Sequence, residues 1–204
     1  NGLSGSMMLL TGDTGAFSGN SGSISFDSGD AANGRSGDIV MSVGSVVGNA
    51  NSYTGGDVRI TAGNQKTQTG VSGGKITLTT GKSTSSSSGD MTLNTATSGV
   101  AGVSGKIDMY TGSATSGDSG DILISTGDSQ RTAGDIILSI GTAANDVGGN
   151  IGIYAGQTDD DSNGGNIRIR TGFSTPTSSG DMFISTHNSG INGDSGEVMM
   201  YSGE

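Results

Sequence analysis

Ser119-Gly120-Asp121-Ile122-Leu123-Ile124-Ser125-Thr126-Gly127 contains the phrase on which the rest of the chain is written. A small residue, a glycine and a polar residue lead into apolar side chains that recur at every second position. Successive side chains of an extended backbone point to opposite faces. Ile122, Ile124 and Thr126 therefore fall on one phase, and Leu123 and Ser125 on the other. Period-two alternation with β-branched residues predicts a half-buried strand.

The phrase recurs along the whole chain. Ser36-Gly37-Asp38-Ile39-Val40-Met41, Gly73-Gly74-Lys75-Ile76-Thr77-Leu78 and Gly164-Gly165-Asn166-Ile167-Arg168-Ile169 are clear copies. With the glycine before the polar residue as anchor, thirteen copies start at Gly5, Gly22, Gly37, Gly56, Gly74, Gly89, Gly105, Gly120, Gly134, Gly149, Gly165, Gly180 and Gly196. The span from 5 to 196 is 191 residues over twelve intervals, about 16 per repeat. Spacings of 14 to 19 vary almost wholly after the apolar phrase, as a fixed segment followed by an adjustable loop would. Stretches such as Lys82-Ser83-Thr84-Ser85-Ser86-Ser87-Ser88 read as those loops.

Such recurrence predicts an all-β fold, a parallel β-solenoid in which one phrase stacks on itself, over a single continuous domain 1–204. Two strands per coil would face Ile and Leu against Ile and Leu across a thin core, with three or one per coil as the alternatives. The Asn1-Gly2-Leu3-Ser4 start and the interruption of the phrase at both ends predict a segment of a longer array, or a subunit that stacks end to end.

Composition excludes several classes. Gly is 40 of 204 residues, Gly, Ser and Thr together approach half the chain, and hydrophobic residues are 30%. A thick core of large side chains cannot be built from this. There is no Cys, which removes disulfides and thiolate metal sites. A formal charge of −10 argues against a nucleic-acid binder, which needs a basic footprint. No apolar run approaches a membrane span, so no membrane insertion is expected.

Chemistry is sparse. The residue after the anchor glycine is Asp at 38, 57, 90, 121, 135 and 181. If alternate phrases stacked, Asp57, Asp90, Asp121 and Asp181 would share an edge with Ser23 and Asn150, and a hard cation such as Ca²⁺ could bridge neighbouring carboxylates. The favoured reading is that Asp after Gly makes the turn into the phrase. The calcium β-roll phrase Gly-Gly-x-Gly-x-Asp and its nine-residue period are both missing. Asp159-Asp160-Asp161 reads as a solvated loop tip.

Catalysis is not expected. His187 is the single histidine, and no nucleophile elbow accompanies it. Gly81-Lys82-Ser83 lacks the first glycine of a phosphate-binding loop, Ile76 standing in its place. Phe17, Phe26, Tyr53, Tyr110, Tyr154, Phe173, Phe183 and Tyr201 are scattered rather than gathered as a sugar platform. Arg59, Arg168 and Arg170 break any outward threonine ladder for ice.

Apolar residues also occupy the outward phase: Met8, Leu10, Val40, Ile137, Phe183 and Met199. They predict a neighbouring chain or covering segment. The composition and phrase resemble, in style, the Gly/Ser/Thr-rich repeat arrays of extracellular adhesins, algal surface fibres and virus fibres. The resemblance implies a structural protein of an extracellular or cell-surface rod, fibre or coat that self-associates end to end or laterally. A cation-dependent adhesin or module binding extracellular polysaccharide is the alternative, and a polysaccharide lyase or hydrolase a more distant one. No Asn-x-Ser/Thr sequon is present, which directs any glycan to hydroxyls such as those of Ser83–Ser88 or Thr175-Pro176-Thr177.

Overall fold

A computed structural model describes residues 4–15, 19–47, 54–66 and 72–203; Phe17 and Tyr53 lie outside this set. Among the described residues there is no helix and no strand. The expected parallel β-solenoid, with two strands per coil, is therefore incorrect, and so is the repeat-protein architecture it implied. The chain is mostly coil.

The physical reason lies in what the phrase specifies. Alternation fixes two faces on an extended segment but names no partner strand. A strand exists only through the ladder it makes, and single phrases of five or six residues must find that ladder at long range. Glycine-rich flanks raise the entropy lost on ordering, and the thin apolar content offers little burial in return.

In some phrases the alternation survives as a difference in exposure rather than as a core, and in the first and last it is reversed, with Met200 at 87% against Met199 at 70%. Ile122 and Ile124 are 55% and 60% exposed, while Leu123 between them is 86% exposed. Met182 and Phe183 repeat the contrast at 47% and 88%. No described hydrophobic residue is buried. The total accessible surface is 21337 Å². A chain of 20.0 kDa would expose about 29,000 Å² unfolded and about 8,700 Å² as an ordinary folded monomer. This chain has removed only roughly a third of the surface that such a monomer removes.

Local order sits instead in the loops. At each of the twelve anchor glycines from Gly22 to Gly196, a methyl group on the glycine would come within 4 Å of a residue that ends the preceding phrase. Gly105 meets Thr95, Gly120 meets Thr111, Gly134 meets Thr126 and Gly196 meets Thr186. The start of each of these phrases is thus drawn back to the end of the one before. Backbone hydrogen bonds pin several of these closures. Gly74 donates to the Gly63 carbonyl at 2.9 Å, Gly89 to Gly81 at 3.0 Å, Gly165 to Gly156 at 2.9 Å and Gly180 to Gly172 at 3.1 Å.

The chain divides into two units, Asn1–Ile107 and Asp108–Glu204. The first carries Arg35, Arg59, Lys66, Lys75, Lys82 and Lys106 against six Asp, a net charge of zero. The second carries Arg131, Arg168 and Arg170 against thirteen acidic residues, which is the whole of the −10.

Candidate functional site

The closures show why glycine stands at the anchor. None of these anchors has the left-handed backbone that favours glycine; among the described residues that conformation is found at Gly15. Space decides instead. A methyl on Gly149 would lie 2.8 Å from Ile140 Cγ2, and one on Gly165 would lie 3.1 Å from the backbone nitrogen of Gly156. The seats at the phrase ends include Ala62, Thr80, Thr95, Ala155 and Thr171, which are half-buried where nearly everything else is exposed.

Side-chain oxygens organise the loop tips. Ser83 Oγ accepts from the Ser86 amide at 3.0 Å, and Ser174 Oγ accepts from the Thr177 amide at 3.2 Å while sharing a hydrogen bond with Thr177 Oγ1 at 2.8 Å. In the acidic loop, Thr158 Oγ1 and the Ser162 amide donate to Asp160 Oδ1 at 2.7 and 2.9 Å. The Thr158 hydrogen bond first, and the Ser162 amide second, hold the Asp160 carboxyl below its ordinary range. Asp160 is thus occupied as the acceptor of a turn. An exposed Arg35–Asp38 pair at 2.7 Å sits at the entrance to the third phrase.

Asp57, Asp90, Asp121 and Asp181 are all exposed, two in each unit. Among the described residues no three Asp, Glu or His side chains gather into a group that could hold a metal ion. His187 is exposed. No helix among the described residues is long and apolar enough to cross a membrane.

The first unit holds a concave apolar feature. Phe26, Ile39, Val40 and Met41 line an open cleft of about 520 Å³. It joins the end of the second phrase to the body of the third, and takes in Val40 from the outward phase. Sequence alone marked Val40 as an unexpected outward apolar residue but gave no reason to associate it with Phe26, because that proximity depends on the intervening Gly37–Ser28 closure.

No family model, curated protein or solved structure matches this chain.

Proposed function

We propose that this chain is a structural, self-associating protein, a building material of an extracellular fibre or surface coat. The observation that carries this reading is the combination of many regularly spaced apolar phrases with the lack of a buried hydrophobic residue among those described. Large exposed apolar surface marks a place where another molecule belongs. The loop closures support the same reading: they space the apolar phrases at short intervals along the chain without using them up. The style of the sequence supports placement outside the cell.

Sedimentation velocity on the full chain, from roughly 1 to 100 µM, tests the reading because assembly is driven by mass action. The sedimentation coefficient is expected to rise with concentration. A single slow species of monomer mass throughout would overturn it.

A further inference from the structure

Resting on that reading, we infer that Tyr110, Tyr154 and Tyr201 are sites of one-electron oxidative coupling, at which a peroxidase using hydrogen peroxide joins copies of this chain through carbon–carbon bonds between tyrosine rings.

Their position is regular. Each is the fifth residue after an anchor glycine, Gly105, Gly149 and Gly196, and those anchors stand three phrases apart. One phenol therefore recurs at every third phrase of that stretch, on the same phase as Leu123 and Ser125. Its surroundings recur as well: Met109-Tyr110-Thr111-Gly112, Ile153-Tyr154-Ala155-Gly156 and Met200-Tyr201-Ser202-Gly203 each follow an apolar residue with Tyr, a small residue and Gly. Ser125, Ser139, Arg170 and Ser185 hold the equivalent place in the phrases between. The fourth tyrosine, Tyr53, lies outside the described residues.

Their rings are accessible. Each is more than four-fifths exposed. At Tyr154, a methyl on Gly152 would lie 2.5 Å from ring carbon Cε2, so that edge of the ring faces its own phrase and the Cε1 edge faces away. Cε1 and Cε2 are the carbons beside the hydroxyl-bearing one, where phenols couple. The chain has no Cys, so no disulfide can lock an assembly of its copies, and no Trp to compete as an electron donor.

The step balances with peroxide alone. Each of two hydroxyls gives up one electron and its proton, and the two phenoxyl radicals form a Cε–Cε bond. Each bonded carbon then loses its hydrogen as a proton while the ring oxygen regains one. Hydrogen peroxide takes up the two electrons and two protons and leaves as two waters. Two coupling rings per chain would give only linear products; three allow a branched network, which suits a fibre or coat.

The full chain, at a concentration where sedimentation shows association, is treated with a haem peroxidase and hydrogen peroxide. Dityrosine fluorescence is expected to exceed that of N-acetyltyrosinamide at the same phenol concentration by at least about tenfold, because association raises the local concentration of rings. Denaturing gels should show covalent species larger than dimers, and mass spectrometry of linked peptides should place the bonds at Tyr110, Tyr154 and Tyr201. The triple variant Tyr110→Phe, Tyr154→Phe, Tyr201→Phe keeps the ring volume, should sediment like the unmodified chain, and should stop at covalent dimers through Tyr53. A yield no greater than that of the free phenol, bonds confined to single chains, or an unchanged ladder in the triple variant would overturn the assignment while leaving self-association intact. A chain that sediments as a monomer throughout would instead remove the reading beneath it.

Discussion

Residues 74–106 and 165–197 lie one in each unit and carry anchor glycines at the same spacing, offset by 91 positions, since 165 less 74 is 91. The closures agree across that offset. Gly74 and Gly165 each donate a 2.9 Å bond, and Gly89 and Gly180 each meet the threonine that ends the previous phrase. Ser83 and Ser174 each cap the loop between. The residues that differ include several that change charge: Lys75 against Asn166, Lys82 against Phe173, Lys106 against Glu197, and Thr77 and Thr79 against Arg168 and Arg170. Local geometry and intermolecular electrostatics are therefore set by different positions of one phrase. The small residues close the loop, and the differing positions change the charge around it.

The largest expected effect comes from making the neutral half resemble the acidic one. Lys75→Glu with Lys106→Glu takes the first unit from zero to −4. Self-association at low ionic strength should weaken about tenfold, equivalent to roughly 1.4 kcal/mol, and recover as salt screens the added repulsion. Sedimentation at low and high sodium chloride checks both parts. An unchanged constant would show that net charge does not govern self-association.

A smaller effect should be common to the two halves. Gly74→Ala and Gly165→Ala each place a methyl 3.1 Å from a backbone nitrogen that cannot swing away. Each should raise the population of the open loop by on the order of 1 kcal/mol, read as faster exchange of the bonded glycine amide. At Gly89 and Gly180 the nearest atoms are 3.7 and 3.8 Å away, ordinary contact. Alanine there should be neutral or should slow exchange slightly, because it restricts the open chain. Sensitivity in one unit only would show that the closures are not equivalent.

Removing the loop caps is expected to matter less. Ser83→Ala and Ser174→Ala each free one or two amides at solvent-exposed turns and should cost about 0.5 kcal/mol of local order. Backbone chemical shifts at residues 84–86 and 175–177 would report it. The smallest effect sharpens the contrast through pH. Asp160 has its carboxyl held below the ordinary range, so its contribution to the 158–162 turn is complete above that range and is lost as pH falls through the lowered value. The Ser83 turn has no carboxylate and should not respond. Asp160→Asn should make the acidic loop equally indifferent, and a loop that still loosens in acid would place the titration elsewhere.

Much of this local order was legible in the residues. Ile122 and Ile124 alternate with Leu123, and their unequal exposure follows that alternation. The loops fall where Lys82–Ser88 and Gln157–Asp161 place them, and bends occur within both. Thr80, Thr95, Thr111, Thr126, Thr171 and Thr186 were visible as a recurring small residue at the end of the phrase. Their role as seats for the next glycine was not, because that contact spans eight to ten residues whose path the sequence leaves free. The signal that could have found it is the pairing of a fixed phrase-end residue with a fixed glycine across a loop of variable length. Asp57, Asp90, Asp121 and Asp181 are a different case: their expected shared edge rested on stacked phrases, and without the stack nothing in the local sequence draws them together.

Residue identity alone dictates the phrase, its two faces, the small residues that allow close approach, the polar loop tips and the impossibility of a thick core. These are consequences of side-chain volume, backbone freedom and short-range hydrogen bonding, and each acts within about one repeat. Tertiary structure was needed to show that no described apolar residue is buried, that Phe26 comes to the Ile39–Met41 segment, and that a neutral unit and an acidic unit divide the chain at Ile107 and Asp108. Pairing one phrase with another depends on long-range closure entropy set against the apolar area gained, and thirteen nearly identical phrases offer many partners of nearly equal value. Alternation can say which face of a segment avoids water, but it cannot say which other segment will cover it.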